Sequence, residues 1–344
     1  MRILLRAPNW VGDVVMSLPA LTALRAEFPK AHLAVQARSW VAELYRLRDE
    51  VDGVVVEDSR GAHQGREGRE RLAQELRSGR FDRTVILPTS FASAWIPFRA
   101  GIPERIGYRA EGRSLLLTQA VPQDLEPGEH QIWKHLRLVS AAGARLPEKP
   151  DVSWSVGPRE RAAARKLLES AGLGSRKFVA VHAASFAHAA KRWPFPRFAE
   201  LLDLLHREEG LTAVLLGSEA ERAVNGELLA LTTRGAPVDL AGRSSLPEVL
   251  GLLAEADRFV GNDSGLAHLA GAVGTPAAVL FGPTDPEATR PWDGPRADGQ
   301  PSRIAVVRSA PPCAPCRFAV CPLDHVCMRS VTARDVLTAL QTLR

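Results

Sequence analysis

Arg258-Phe259-Val260-Gly261-Asn262-Asp263-Ser264-Gly265-Leu266-Ala267-His268-Leu269-Ala270 decides how this chain folds. The apolar density from Phe259 to Pro283 is the nearest thing in the sequence to a membrane span. A span needs about 20 predominantly apolar residues, and Asn262, Asp263, His268 and several glycines interrupt this one. The stretch therefore reads as a buried strand, a tight turn and a helix running from Gly265 to Val273. In that arrangement Ser264 and the amides of Gly265 and Leu266 offer donors and a positive dipole end to phosphate oxygens. Taken singly, Asp263 is an ordinary helix cap, and a lone histidine such as His268 is more often a core residue than a ligand.

The same pattern recurs on both sides. Strands are predicted at Arg2–Arg6, His32–Ala37, Val51–Val56 and Arg83–Leu87, with a helix from Val14 to Phe28. After the proline-containing linker Pro147–Pro158 come strands at Phe178–Ala183, Thr212–Leu216, Val238–Ala241, Arg258–Val260 and Ala277–Phe281. Helices near Phe195–Glu209, Ala220–Thr232, Leu246–Ala256 and Gly265–Val273 alternate with them. Continuous Val/Leu/Ile/Ala runs alternating with helices predict parallel sheets covered on both faces. The expected organisation is a domain over 1–150, a second over 159–331 and a terminal helix over 332–344, capped by Thr332. Two such domains are expected to leave a cleft between the carboxyl ends of their strands. The Gly- and Arg-rich stretch Arg60–Arg71 is expected to be a mobile loop.

A chain of 344 residues suits two domains, and 45% hydrophobic with 24% charged residues is ordinary globular composition. No cleavage-like site follows Ile3–Leu5, so a signal peptide is not expected and the reading is cytoplasmic. The net charge of +5 is spread over both halves. With no basic run interleaved with aromatics, nucleic acid is not an expected partner. The excess suits anionic small molecules, or peripheral contact with the anionic cytoplasmic face of an inner membrane.

Three further groups carry chemistry. Arg6-Ala7-Pro8-Asn9-Trp10-Val11-Gly12-Asp13 joins the first strand to its helix. Asp13 either caps that helix or points into a crevice and takes a proton from an acceptor hydroxyl; local features leave both open. The loop lacks Gly-x-Gly-x-x-Gly, so a dinucleotide fingerprint is absent. In the second domain, His182-Ala183-Ala184-Ser185 and Lys191-Arg192-Trp193-Pro194 bring a hydroxyl, cations and a helix start to one strand end. A diphosphate is commonly held that way, although a Lys-Arg pair is more often a solvated loop. All four cysteines fall at Cys313, Cys316, Cys321 and Cys327. Clustered cysteines in a reducing compartment more often bind metal than pair, so a structural zinc is expected there, away from the chemistry.

Arg6–Asp13 continuing through Ser17-Leu18-Pro19-Ala20-Leu21 resembles the opening of glycosyltransferase family 9, most closely its heptosyltransferase II branch. Lys191–Pro194 and Asn262–His268 match that family's donor-domain motifs in order and spacing, and the likeness covers essentially the whole chain. The resemblance implies an α/β fold of GT-B type, two Rossmann-like doubly wound parallel-sheet domains facing a central cleft. It further implies an ADP-heptose donor, an acceptor in the inner core of lipopolysaccharide, and inversion without a catalytic metal; no Asp-x-Asp occurs in the chain. By resemblance Asp13 is the base, with Asn9, Trp10 and Gly12 forming the acceptor loop. Lys191 binds diphosphate beside Arg192, while Asp263, Ser264, Gly265 and His268 contact the donor. Glu219 falls where the family places a ribose-contacting carboxylate. Ser185 follows Ala183-Ala184, where family members often carry glycine before the hydroxyl residue. Rival readings are a same-fold transferase with another nucleotide sugar or a protein acceptor, and a non-catalytic zinc-containing binding protein.

Overall fold

The computed structural model describes residues 1–123, 126, 128–184, 189–294, 299, 303–316 and 318–343. The chain divides into two compact units, Met1–Val152 and Ser153–Arg344. The first carries β1 (Arg2–Arg6), α1 (Val11–Glu27), β2 (His32–Arg38), α2 (Ala42–Arg46), β3 (Gly53–Glu57), α3 (Gly65–Ser78), β4 (Arg83–Ile86), α4 (Phe91–Ala100), β5 (Glu104–Tyr108), β6 (Gln119–Val121) and α5 (Gln131–Ala141). The second opens with α6 (Pro158–Ser170), β7 (Phe178–His182), α7 (Phe195–Glu209), β8 (Thr212–Leu215), α8 (Arg222–Leu231) and β9 (Val238–Asp239). It closes with α9 (Leu246–Glu255), β10 (Arg258–Asn262), α10 (Gly265–Val273), β11 (Ala277–Phe281), α11 (Pro286–Thr289), β12 (Ile304–Arg308), α12 (Val326–Arg329) and α13 (Ala333–Gln341).

Among the described residues both sheets have six strands, ordered β3-β2-β1-β4-β5-β6 and β12-β11-β10-β7-β8-β9. Every pairing is parallel. Counted from the first strand of each unit, the two orders are the same. The central strands are buried along their length, as Ile3–Leu5 and Phe178–His182 show, because helices cover both faces of such sheets. In each unit the strand order reverses between the first and fourth strands, β1 and β4 or β7 and β10. Ligands of open α/β sheets bind outside the carboxyl ends of the strands at this reversal.

Three expectations are corrected. Helix α1 starts at Val11 rather than Val14; the Val14 amide already bonds the Trp10 carbonyl at 2.9 Å, so Trp10 is the N-cap. The segment Arg60–Arg71 is helical from Gly65 onward, because Leu72, Ala73 and Leu76 pack on the sheet and carry the first turns of α3 with them. Pro158 opens α6 instead of ending a linker, as prolines at a first helical position do. Strands β5, β6 and β12 extend the sheets beyond those expected. Thr332 does cap α13, in a reciprocal box with Asp335. The apolar face of that helix (Val336, Leu337, Leu340) is buried in the second unit's core. Among the described residues no helix is long and apolar enough to cross a membrane.

Candidate active site

In the second unit β10 ends at Asn262 and α10 begins at Gly265, so Asp263 and Ser264 are the whole turn. Asn262 is buried and ties neighbouring segments to it. Its Nδ2 donates to the Ala183 carbonyl at 2.7 Å, and its Oδ1 accepts the Trp193 amide at 3.0 Å. Trp193 is itself buried, its indole donating to the Val331 carbonyl at 3.1 Å and its ring edge-on to Phe198. This clamp fixes Lys191, which ends the short 3₁₀ turn Ala189–Lys191 two residues earlier. Lys191 Nζ donates to Asp263 Oδ2 at 2.6 Å, and the Thr284 hydroxyl donates to the same oxygen at 2.7 Å. A cation and a buried carboxylate thus stand at the start of α10.

Ser264 occupies the N-cap of α10 but does not cap it with its side chain. Its hydroxyl lies 2.9 Å from His182 Nδ1, at the end of β7. On the other side of the ring, His182 Nε2 faces Glu221 Oε1 at 3.5 Å. The second Glu221 oxygen accepts the amide and hydroxyl of Ser218, at 2.7 and 2.8 Å, in a capping box over the 3₁₀ turn Glu219–Glu221. Burial favours the protonated Glu221 carboxyl, but the His182 interaction and the two Ser218 donors outweigh it and hold the group down at about 2. Glu221 is therefore ionised at neutral pH. Glu219 is exposed and paired with Arg222 at 3.2 Å. His268 lies buried one turn along α10, and Gly265 is the first residue of that helix. Arg192 lines a cavity of about 260 Å³ with Trp193, Phe195, His325 and Arg329. Ser185 lies outside the described residues.

In the first unit a cavity of about 270 Å³ sits at the β1/β4 reversal. Pro8, Asn9, Trp10 and Asp13 line it from β1, Leu87–Ser90 from β4, and Glu111, Gln131, Lys134 and His135 from the far side. Asp13 is the third residue of α1, where a carboxylate suits the dipole. The loop before it is pinned from beneath. Asn9 Oδ1 accepts from Arg6 and Arg38, and the Trp40 indole donates to the Asn9 carbonyl at 2.7 Å. Arg6 and Arg38 share Glu57, at 2.8 and 2.9 Å, with Arg6 and Glu57 both buried. Trp10 is exposed, and Gly12 lies within the first turn of α1. Opposite Asp13, burial lowers the Lys134 amine while the Asp13 charge works to raise it. His135 is buried, and neither of its ring nitrogens has a hydrogen-bond partner among the described residues. Burial, reinforced by Lys134 and His130, pushes its pKa down to about 3, so the ring is neutral.

The structure thus gathers Asn9, Trp10 and Asp13 in one unit, and Lys191, Asp263, Ser264, Gly265 and His268 in the other. The motif reading missed Glu221, Lys134 and His135. Ser218-x-x-Glu221 is a legible capping box, whereas nothing in the sequence around α5 marks its cavity-facing residues. The cysteines are free, with Cys327 buried within α12 and Cys313 exposed. Cys321 Sγ accepts the amides of Leu323 and His325 at 3.3 and 3.2 Å. Burial, with the other three thiols nearby, pushes the Cys327 thiol up. Among the described residues no three His, Cys, Asp or Glu side chains are grouped to hold a metal ion.

Comparison with known proteins agrees with the geometry. The model of glycosyltransferase family 9 (heptosyltransferase) matches residues 69–327. Lipopolysaccharide heptosyltransferase 2 of Escherichia coli K12 is 33% identical over 303 residues, covering 85% of each chain. The Salmonella typhimurium enzyme of the same name is 34% identical over the same share. The solved structure of E. coli ADP-heptose lps heptosyltransferase II superposes with a TM-score of 0.81 at 29% identity, covering 100% of this chain and 98% of that one. A switch-point carboxylate in one parallel-sheet unit, a cation and uncapped helix start in the other, and these relatives agree: the chain is a glycosyltransferase and belongs to glycosyltransferase family 9.

Proposed function

We propose that this transferase moves L-glycero-D-manno-heptose from ADP-heptose to heptosyl-Kdo-lipid A in the lipopolysaccharide inner core, inverting the anomeric carbon without a catalytic metal. The observation that carries the reading is Asp13, in a cavity at the β1/β4 reversal and not at the N-cap. A carboxylate there takes the acceptor hydroxyl's proton as that oxygen attacks the anomeric carbon and the C–O bond to the diphosphate breaks. Lys191, Ser264 and the α10 amides stabilise the charge that develops on the leaving ADP, and one lost donor of this kind costs roughly a hundred- to a thousandfold in rate. A related E. coli heptosyltransferase, WaaC, has been solved with ADP-2-deoxy-2-fluoro heptose, which supports the donor class. The test is incubation with ADP-heptose and defined truncated lipopolysaccharides, with products read by mass. Addition of one heptose to heptosyl-Kdo-lipid A is expected; transfer only from another nucleotide sugar, or only to protein, would replace the substrate assignment.

The proposal includes a structural zinc on Cys313, Cys316, Cys321 and Cys327, read from the clustering of the four cysteines in the sequence; among the described residues their side chains are not gathered to hold one. No catalytic step depends on it. About one zinc per chain should be released on denaturation with a thiol reagent, and a metal-free protein with four titratable thiols would remove it. The non-catalytic alternative loses its support with family membership. Peripheral contact with an anionic membrane surface remains part of the proposal and is tested by sedimentation with vesicles.

A further inference from the structure

We propose that His182 is a positioning residue that aims the Ser264 hydroxyl at the donor's diphosphate, and that donor binding draws a proton onto its ring. The inference rests on the reading of the second unit as the ADP-sugar site. The argument begins with Glu221. It is an ionised carboxylate whose second oxygen is saturated by Ser218, so towards His182 Nε2 it can only accept. The carboxylate therefore favours the proton of the neutral ring on Nε2, and a second proton goes to Nδ1, which faces Ser264 at 2.9 Å.

When the ring is neutral, Nδ1 is a lone pair. The Ser264 hydroxyl must then donate to it, which turns only oxygen lone pairs outward. When the ring is charged, Nδ1–H donates to Ser264 Oγ, and the hydroxyl hydrogen is released to point at a ligand. A diphosphate oxygen is an acceptor only, so the first state repels it and the second binds it. Donor affinity and protonation of His182 are thus linked, and each favours the other. The groups on neighbouring elements do not replace this proton. Glu219 and Glu221 follow β8, Asp263 at the end of β10 is already shared by Lys191 and Thr284, and His268 lies a turn further along α10. The sign follows directly. Affinity is full where the free ring is charged and falls by up to about tenfold per pH unit as the free ring loses that proton.

The test is calorimetry of ADP-heptose binding at about pH 8 in HEPES and in Tris, buffers of different ionisation enthalpy. The sugar diphosphate has no titrating group there, so the buffer dependence counts protons taken up by the protein. Uptake approaching one proton per donor is expected for the wild type. His182→Asn supplies an amide donor that does not titrate; it should keep donor binding, lose the uptake and flatten the pH profile. His182→Ala should lose both affinity and uptake. If His182→Asn does not fold, Ser264→Ala serves, with uptake expected to vanish. No uptake by the wild type between about pH 6 and 9, or undiminished uptake in His182→Asn or Ser264→Ala, would overturn the inference. Absence of any ADP-heptose binding to the wild type would instead overturn the donor assignment.

Discussion

Asp13 and Lys191 are the residues on which the proposed chemistry turns, and the structure changes what their variants test. Trp10, not Asp13, occupies the N-cap, so Asp13→Asn does not uncap α1, and the first-turn charge it forfeits is worth about 0.3–1 kcal/mol. Transfer should fall by about a hundredfold or more at nearly unchanged ADP-heptose affinity; near-normal turnover in a stably folded variant would remove Asp13 from the mechanism. Lys191→Ala has two consequences, because it also strips Asp263 of its ion pair. Unpairing a buried charge costs about 3–5 kcal/mol, so the single variant should lose stability as well as donor binding. Adding Asp263→Asn should restore melting temperature without restoring affinity for ADP-heptose; full affinity in the double variant would show that Lys191 does not hold the diphosphate. Their proposed roles came from the resemblance, but the placement of both was legible in the sequence because each sits at a strand end beside a helix start. The pairing of Lys191 with Asp263, 72 residues away, was not. No local pattern records which side chains a tertiary clamp such as Asn262 brings together.

Among the elements, those that are wholly buried or strongly periodic were readable to the residue: β1, α7, β11 and α10 have the bounds their apolar runs predict. β5 and β6 were not, since Glu104-Arg105-Ile106-Gly107-Tyr108 and a three-residue edge carry no continuous apolar run. α3 was hidden by its glycines and arginines and is held by three small contacts on the sheet. α5 is the instructive case, because its cavity face is built from Gln131, Lys134 and His135, none of them part of a motif. Its histidine also makes a stability prediction. The folded ring titrates at about 3 and the ordinary value is 6.5, so between these the unfolded chain binds the extra proton. Stability should therefore fall as the pH drops below the ordinary value, by about 1.4 kcal/mol per unit within that window. His135→Leu should abolish that slope and raise stability at pH 7 by removing buried polar atoms; an unchanged acid slope in denaturant melts would contradict it. The β1–β3 end of the sheet has a comparable weak point: Glu57→Gln leaves the buried Arg6 with no full counter-charge, at a cost of about 3–5 kcal/mol in the same assay.

For the whole molecule, the two units repeat one strand order and close their cores in the same way, each with the helix that follows its last strand: α5 packs on α1, and α13 on α7. The first is complete within Met1–Val152. The second draws on α13, whose Val336, Leu337 and Leu340 are wholly buried with residues of β7, α7 and β8. Removing residues from Thr332 onward should therefore abolish donor binding and the second unit's unfolding transition while leaving the first unit's intact. A single transition lost in full would show instead that the units fold together. ADP-heptose at a hundred times its dissociation constant should add about 2.7 kcal/mol, to the second unit alone.

The placement of α13 also orders events during synthesis. Residues 1–152 hold everything their sheet needs and can fold while the rest of the chain is being made, as domains generally do. Phe178–His182 and the Asp263 turn are translated long before Leu337, yet they cannot settle into a finished core until it arrives. A ribosome-bound intermediate would therefore present a formed β1/β4 cavity and an unfinished Asp263 turn; on the proposed function, a stalled or truncated product sequesters no sugar nucleotide.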